Sequence, residues 1–117
     1  MSPKRGERAA PPPAGDEWDV RFANGEAAKG WEALGAQAPG NTRAAWQTMR
    51  TDPSPAARTE RHHRLKGELA HGTHRGERMD RWQIEVTAGG RIWYLVDIER
   101  RTVWIDRAST SHPKATD

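Results

Sequence analysis

The 117-residue chain has no cysteine, which excludes a disulfide framework and any thiolate metal site. Apolar residues make up only 34%, with one Phe and one Tyr. No apolar run approaches the roughly 20 residues of a membrane span, and the N-terminus shows no signal-peptide apolar stretch. The expected location is therefore the cytoplasm, without membrane contact. Charge of one sign is not abundant either: the formal net charge is +3. Its distribution is uneven, with an excess of two basic groups in residues 1–15, two acidic groups in 16–60 and three basic groups in 61–117. That pattern is compatible with phosphate binding and equally with an arginine-rich solvated surface. What the chain does have is six tryptophans, each able to bury a large area in a small core.

Residues 1–15 hold the run Ala9-Ala10-Pro11-Pro12-Pro13-Ala14-Gly15 and several charges. Such a segment has little to bury and is expected to be a disordered tail, leaving one domain over 16–117. Trp18, Val20 and Phe22 alternate with Asp19 and Arg21, which predicts a first strand. Ala28, Trp31, Leu34 and Ala38 fall at helical spacing over Glu26 to Gln37, and Ala45, Trp46 and Met49 mark a second helix to about Arg50. Pro39-Gly40 separates the two, with Asn41 or Thr42 as the expected cap. Leu65, Gly67 and Leu69 alternate with Arg64, Lys66 and Glu68, which suggests a strand; the polar stretch Gly72 to Asp80 reads as a loop.

The clearest pattern is Arg81 to Val96. Trp82, Ile84 and Val86 alternate with Arg81, Gln83 and Glu85, then Ala88-Gly89-Gly90 supplies a turn expected to use positive φ. Ile92 to Val96 is continuously apolar, as in a central strand covered on both faces. Val103, Trp104 and Ile105 close the sheet. The order β-α-α-β-β-β-β predicts an α+β fold in which two N-terminal helices pack on a small antiparallel sheet.

Arg64-Leu65-Lys66-Gly67, the run Gly90-Arg91-Ile92-Trp93-Tyr94-Leu95-Val96-Asp97, and Val103-Trp104-Ile105 followed by Ser111-His112-Pro113-Lys114 together resemble the RelE/ParE superfamily of bacterial toxins. The resemblance spans about residues 17–114 and rests on combined order and spacing. It implies a toxin neutralised by a cognate antitoxin. A RelE-like member would act at the ribosome as an mRNA endonuclease, with the 2′-hydroxyl of the RNA as nucleophile and no cofactor. A ParE-like member would act on DNA gyrase by protein contact. A non-toxic binding module on the same scaffold is the third reading. Cleavage of this kind needs a base, cations around the phosphorane and an acid for the leaving oxygen.

By resemblance, Arg91 falls on a phosphate-contacting arginine and His112 near a C-terminal acid position. Gln83 and Glu85 stand where RelE-type enzymes place lysines, so Glu85 becomes the candidate base. Arg64, Lys66, Arg107 and Lys114 are candidate RNA-binding cations, and Trp93 a candidate for stacking on a base or an antitoxin helix. Each has a plainer reading. Arg91 can pair with Glu85 or Asp97 across the sheet, His112 can be an exposed tail residue, and Arg64 and Lys66 can be solvated. Tyr94 reads as core. His62, His63, His71 and His74 lack metal-ligand spacing, so no metal is expected.

Overall fold

A computed structural model describes residues 3–9 and 11–111. The order is β1 (Asp19–Phe22), α1 (Gly25–Gln37), α2 (Pro39–Thr51), β2 (His62–Arg64), a 3-10 turn (Gly67–Ala70), β3 (His71–His74), β4 (Glu77–Glu85), β5 (Arg91–Asp97) and β6 (Thr102–Ser109). The fold is α+β. Its sheet runs β1-β6-β5-β4-β2, with β3 also paired to β4.

Both helices cover one sheet face because the apolar members of each strand alternation point there. Val20 and Phe22, Trp82, Ile84 and Val86, Ile92, Tyr94 and Val96, and Val103 and Ile105 meet Ala27, Ala28 and Leu34 of α1 and Ala45 and Met49 of α2. Strand β5 is buried along its whole length. Asn24 caps α1: its Oδ1 accepts from the Ala27 amide at 2.7 Å, and its Nδ2 donates to the Asp106 carbonyl at 3.0 Å. The helix thus starts fixed to β6. Gly30 sits so close to β6 that a Cβ there would lie 1.8 Å from the Ala108 carbonyl oxygen.

Several expectations need correction. The sheet is mixed, not wholly antiparallel: β1 pairs with β6 in parallel, Val20 opposite Val103 and Phe22 opposite Ile105. The strand that follows the two helices, β2, lies at the far edge of the sheet, so the parallel neighbour of β1 is the last strand, β6, reached through the antiparallel run β4-β5-β6. The first helix ends before Pro39 as expected, but neither Asn41 nor Thr42 caps the second. Helix α2 starts at Pro39 with Ala38 as N-cap and no side-chain cap bond, since the fixed φ and missing N–H of proline suit the first helical turn. The predicted strand over 65–69 is a 3-10 turn preceded by the short strand β2. The predicted loop 72–80 is instead the β3–β4 hairpin. Its two-residue turn is Arg75-Gly76, both at positive φ (55° and 81°).

The Ala88-Gly89-Gly90 turn does not use positive φ. Thr87 Oγ1 accepts from the Gly90 amide at 2.7 Å, and a Cβ on Gly90 would lie 2.9 Å from Leu34 Cδ2, so that glycine is there for space.

The tail is also revised. Residues 6–9 run along the free edge of β1: the Gly6 amide donates to the Phe22 carbonyl at 2.8 Å, the Ala9 amide to the Val20 carbonyl at 2.8 Å, and the Phe22 amide to the Glu7 carbonyl at 3.1 Å. Arg8 Nε adds an ion pair to Asp19 Oδ1 at 2.7 Å. Edge pairing of this kind needs main-chain groups and not apolar side chains, which is why composition misses it. Among the described residues no helix is long and apolar enough to cross a membrane.

Candidate functional site on the helix-free sheet face

The alternation that sends Trp82, Ile84 and Val86 to the helices sends Arg81, Gln83 and Glu85 to the other face. Register then builds two rows at the β4–β5 hairpin end. Gln83 lies between His63 of β2 and Trp93 of β5, and Trp93 lies opposite Arg107 of β6. In the next row Glu85 is paired with Arg91, which lies opposite Ser109. Arg61 completes that row: its carbonyl accepts the Glu85 amide at 2.7 Å, and its Nε lies 3.4 Å from Glu85 Oε2.

Arg91 is not a free cation. It is 9% exposed. Its NH1 donates to the carbonyls of Thr87 (2.9 Å), Gly90 (3.1 Å) and Ala88 (3.2 Å), and its NH2 lies 3.2 Å from Glu85 Oε1. The guanidinium folds back on its own turn as a clamp. Of the two readings of Arg91, the geometry is that of the pair with Glu85, extended by three carbonyls. Glu85 in turn lies between two guanidiniums, Arg61 and Arg91.

Trp93 is only 7% exposed, so stacking on a base or a helix would first require its cover to move. Arg81 and Arg107 lie 5.8 and 5.5 Å from its ring centre, and its Nε1–H donates to Gln83 Oε1 at 2.8 Å. Arg81 is fixed by Asp106, with Nε and NH2 each 2.9 Å from Oδ2. Arg107 is exposed and has no ion pair among the described residues. A cation stacked on an indole is partly prepaid in geometry for binding an anion.

Arg64 and Lys66 do not belong to these two rows; they line an open groove at the β2 edge that His63 of the patch also lines. Arg64 NH2 donates to the Ala70 carbonyl at 2.6 Å and lies 3.3 Å from Asp80 Oδ1, so it braces the loop before β3. Lys66 is exposed beside Arg58 and Glu60 in an open groove at the β2 edge. His112 and Lys114 lie outside the described residues.

Two residues of the patch were not among the expected ones: Arg61, whose side chain is 85% exposed, and His63. His63 Nδ1 lies 2.8 Å from the Arg64 carbonyl. A carbonyl only accepts, so Nδ1 carries the proton and the lone pair of the neutral ring is on Nε2. The only sequence signal for either was the spacing Arg61-x-His63, an alternation too short to stand out in the charged segment 58–74.

His62 points the other way. Its Nε2 bonds the Tyr94 hydroxyl, which donates to the Pro53 carbonyl at 2.5 Å. Tyr94 is fully buried, in keeping with a core role, and burial pushes its pKa well up. His71 lies 3.4 Å from Asp80, while the His74 ring packs against Trp104 at a tilt of 41°. Among the described residues no group of three or more His, Asp or Glu is placed to hold a metal ion.

The patch therefore combines one half-buried imidazole, two carboxylates (Glu85 and Asp106), two held guanidiniums and two exposed ones. No protein-family model, curated protein or solved structure matches this chain.

Proposed function

We propose that the chain is a RelE/ParE-like toxin of a toxin–antitoxin pair, and that its helix-free sheet face binds and cuts mRNA at the ribosome. The resemblance of residues 17–114 supplies the class. The supporting observation is the register that sets His63, Gln83, Trp93 and Arg107 beside Arg61, Glu85, Arg91 and Ser109. On this reading the work is divided differently from the sequence-based expectation. Arg91 is a positioning residue that holds the hairpin, and Glu85 holds Arg61 and Arg91.

The exposed guanidiniums of Arg61 and Arg107 take the phosphate oxygens, as Arg is suited to do. His63 Nε2 accepts the proton of the 2′-hydroxyl as its oxygen bonds to phosphorus. The P–O5′ bond breaks, and the leaving oxygen is protonated. His112, which follows β6 by three residues, keeps its expected role as that acid. The inhibitory partner on this reading is an antitoxin protein.

The test is induction of the chain in bacteria with 5′-end mapping of transcripts. Growth arrest with codon-phased cuts, lost in the Arg61→Ala/Arg107→Ala double variant, supports the proposal. Arrest without cuts but with double-strand DNA breaks points to gyrase. Absence of any growth effect without a partner protein points to a non-toxic binding module.

A further inference from the structure

We propose that a second depression, at the opposite end of β4 and β5 from the hairpin patch, binds a phosphate monoester dianion between Arg5, Arg75 and His74 over Trp104. The compartment has a volume of about 440 Å³, and its lining includes Arg5, Ala23, His74, Arg75 and Trp104, with no carboxylate. That volume lies within the ~300–1,000 Å³ of small-molecule sites. It is a concave site with two guanidiniums and an imidazole on its walls and an indole on its floor. The His74 ring centre lies 4.2 Å from that of Trp104, which fixes the imidazole in place. Neither Arg5 nor Arg75 has an ion pair among the described residues.

The neighbouring carboxylates are already engaged. Arg100 holds Glu77 through two bonds of 2.8 and 2.9 Å and Asp97 through one of 3.1 Å. Trp104 Nε1–H also points to Asp97, at 3.5 Å. Arg100 offsets one of those two negative charges; Arg75, which shares the adjoining compartment with Glu77 and Asp97, and Arg5 are not themselves ion-paired among the described residues. Burial, and then the charge of Arg75, hold the His74 pKa below its ordinary value; Asp106 and Asp97 oppose this and Arg5 adds to it.

An independent observation is the backbone at Arg75. It occupies the left-handed region at φ 55°, followed by Gly76 at 81°. Such a two-residue turn favours Asn-Gly or Asp-Gly. An arginine in that position is held in a disfavoured conformation and projects its guanidinium over the depression, and strained positions of this kind cluster at ligand clamps. The site shares no residue with the hairpin patch, so it stands or falls independently of the nuclease reading.

The test is calorimetric titration of the full chain with inorganic phosphate, with adenosine monophosphate, and with a short RNA bearing a 5′-hydroxyl. Phosphate and the mononucleotide are expected to bind, and the diester-only RNA is not expected to compete. Arg75→Asn suits the left-handed turn, so it leaves the melting temperature equal or higher while weakening phosphate binding at least about tenfold. Arg5→Gln weakens it similarly. No heat at millimolar phosphate, binding that survives both substitutions, or equal competition by the 5′-hydroxyl RNA overturns the proposal.

Discussion

Arg91→Met removes a guanidinium and keeps an apolar stem, so it isolates the clamp. NH1 carries two hydrogens, so the carbonyls of Thr87, Ala88 and Gly90 share two full bonds. Bonds to a charged donor contribute about 1.5 kcal/mol each. The pair with Glu85, whose side chain is 21% exposed, adds at most ~1 kcal/mol. The expected loss is about 3–4 kcal/mol. At ~4–8 °C per kcal/mol for a domain of this size, the melting temperature falls by roughly 12–32 °C. The assay is thermal and urea unfolding followed by tryptophan fluorescence and circular dichroism. Arg107→Met, at an exposed position, serves as control and shifts stability by less than ~0.5 kcal/mol. An Arg91→Met protein that melts within about 3 °C of wild type would refute the clamp, and with it the assignment of Arg91 as a positioning residue.

Gly30→Ala is expected to destabilise by about 1–3 kcal/mol in urea unfolding, because the new Cβ meets the Ala108 carbonyl and overpacking exceeds the ~1 kcal/mol helix-propensity gain; a stabilised variant would contradict the close α1–β6 contact. Tyr94→Phe leaves the Pro53 carbonyl and the His62 Nε2–H without their partner and should cost about 1–3 kcal/mol, read from the same unfolding curves. Burial lowers the pKa of His62 in the folded state from 6.5, so the unfolded chain binds its proton first. That stability is complete above pH 6.5 and is lost as pH falls through the folded value. His62→Phe is expected to give a shallower decline of stability between about pH 7 and 5. His74, also lowered, keeps part of the slope; an unchanged slope would remove His62 from the balance.

The main sheet was legible because its strands carry strong period-two or continuous apolar patterns. Trp82, Ile84 and Val86 face the helices, and Ile92 to Val96 is buried throughout. The helices were legible from Ala28, Leu34, Ala45 and Met49. The β3–β4 hairpin was not, because edge strands are polar and its turn uses arginine where Asn or Asp is usual. The N-terminal pairing was not, because main-chain hydrogen bonds leave no trace in side-chain pattern.

At the site, the alternation of Arg81, Gln83 and Glu85 against Trp82, Ile84 and Val86 was legible, and register places Trp93 and Arg107 beside them. What failed was accessibility. A sequence shows that Arg91 stands at the mouth of a turn, but whether its guanidinium faces solvent depends on how that turn presents its carbonyls. Arg61 and His63 escaped notice because their importance comes from cross-strand register with Glu85 and Gln83, which no local window contains.

The measurement closest to the central claim is the frequency of new transcript 5′ ends after induction of wild-type and His63→Ala chains of equal melting temperature. If the imidazole with the open Nε2 accepts the 2′-hydroxyl proton, wild type gives phased ends and the variant loses them by at least about a hundredfold. Phased ends that persist at wild-type frequency in His63→Ala would contradict the account.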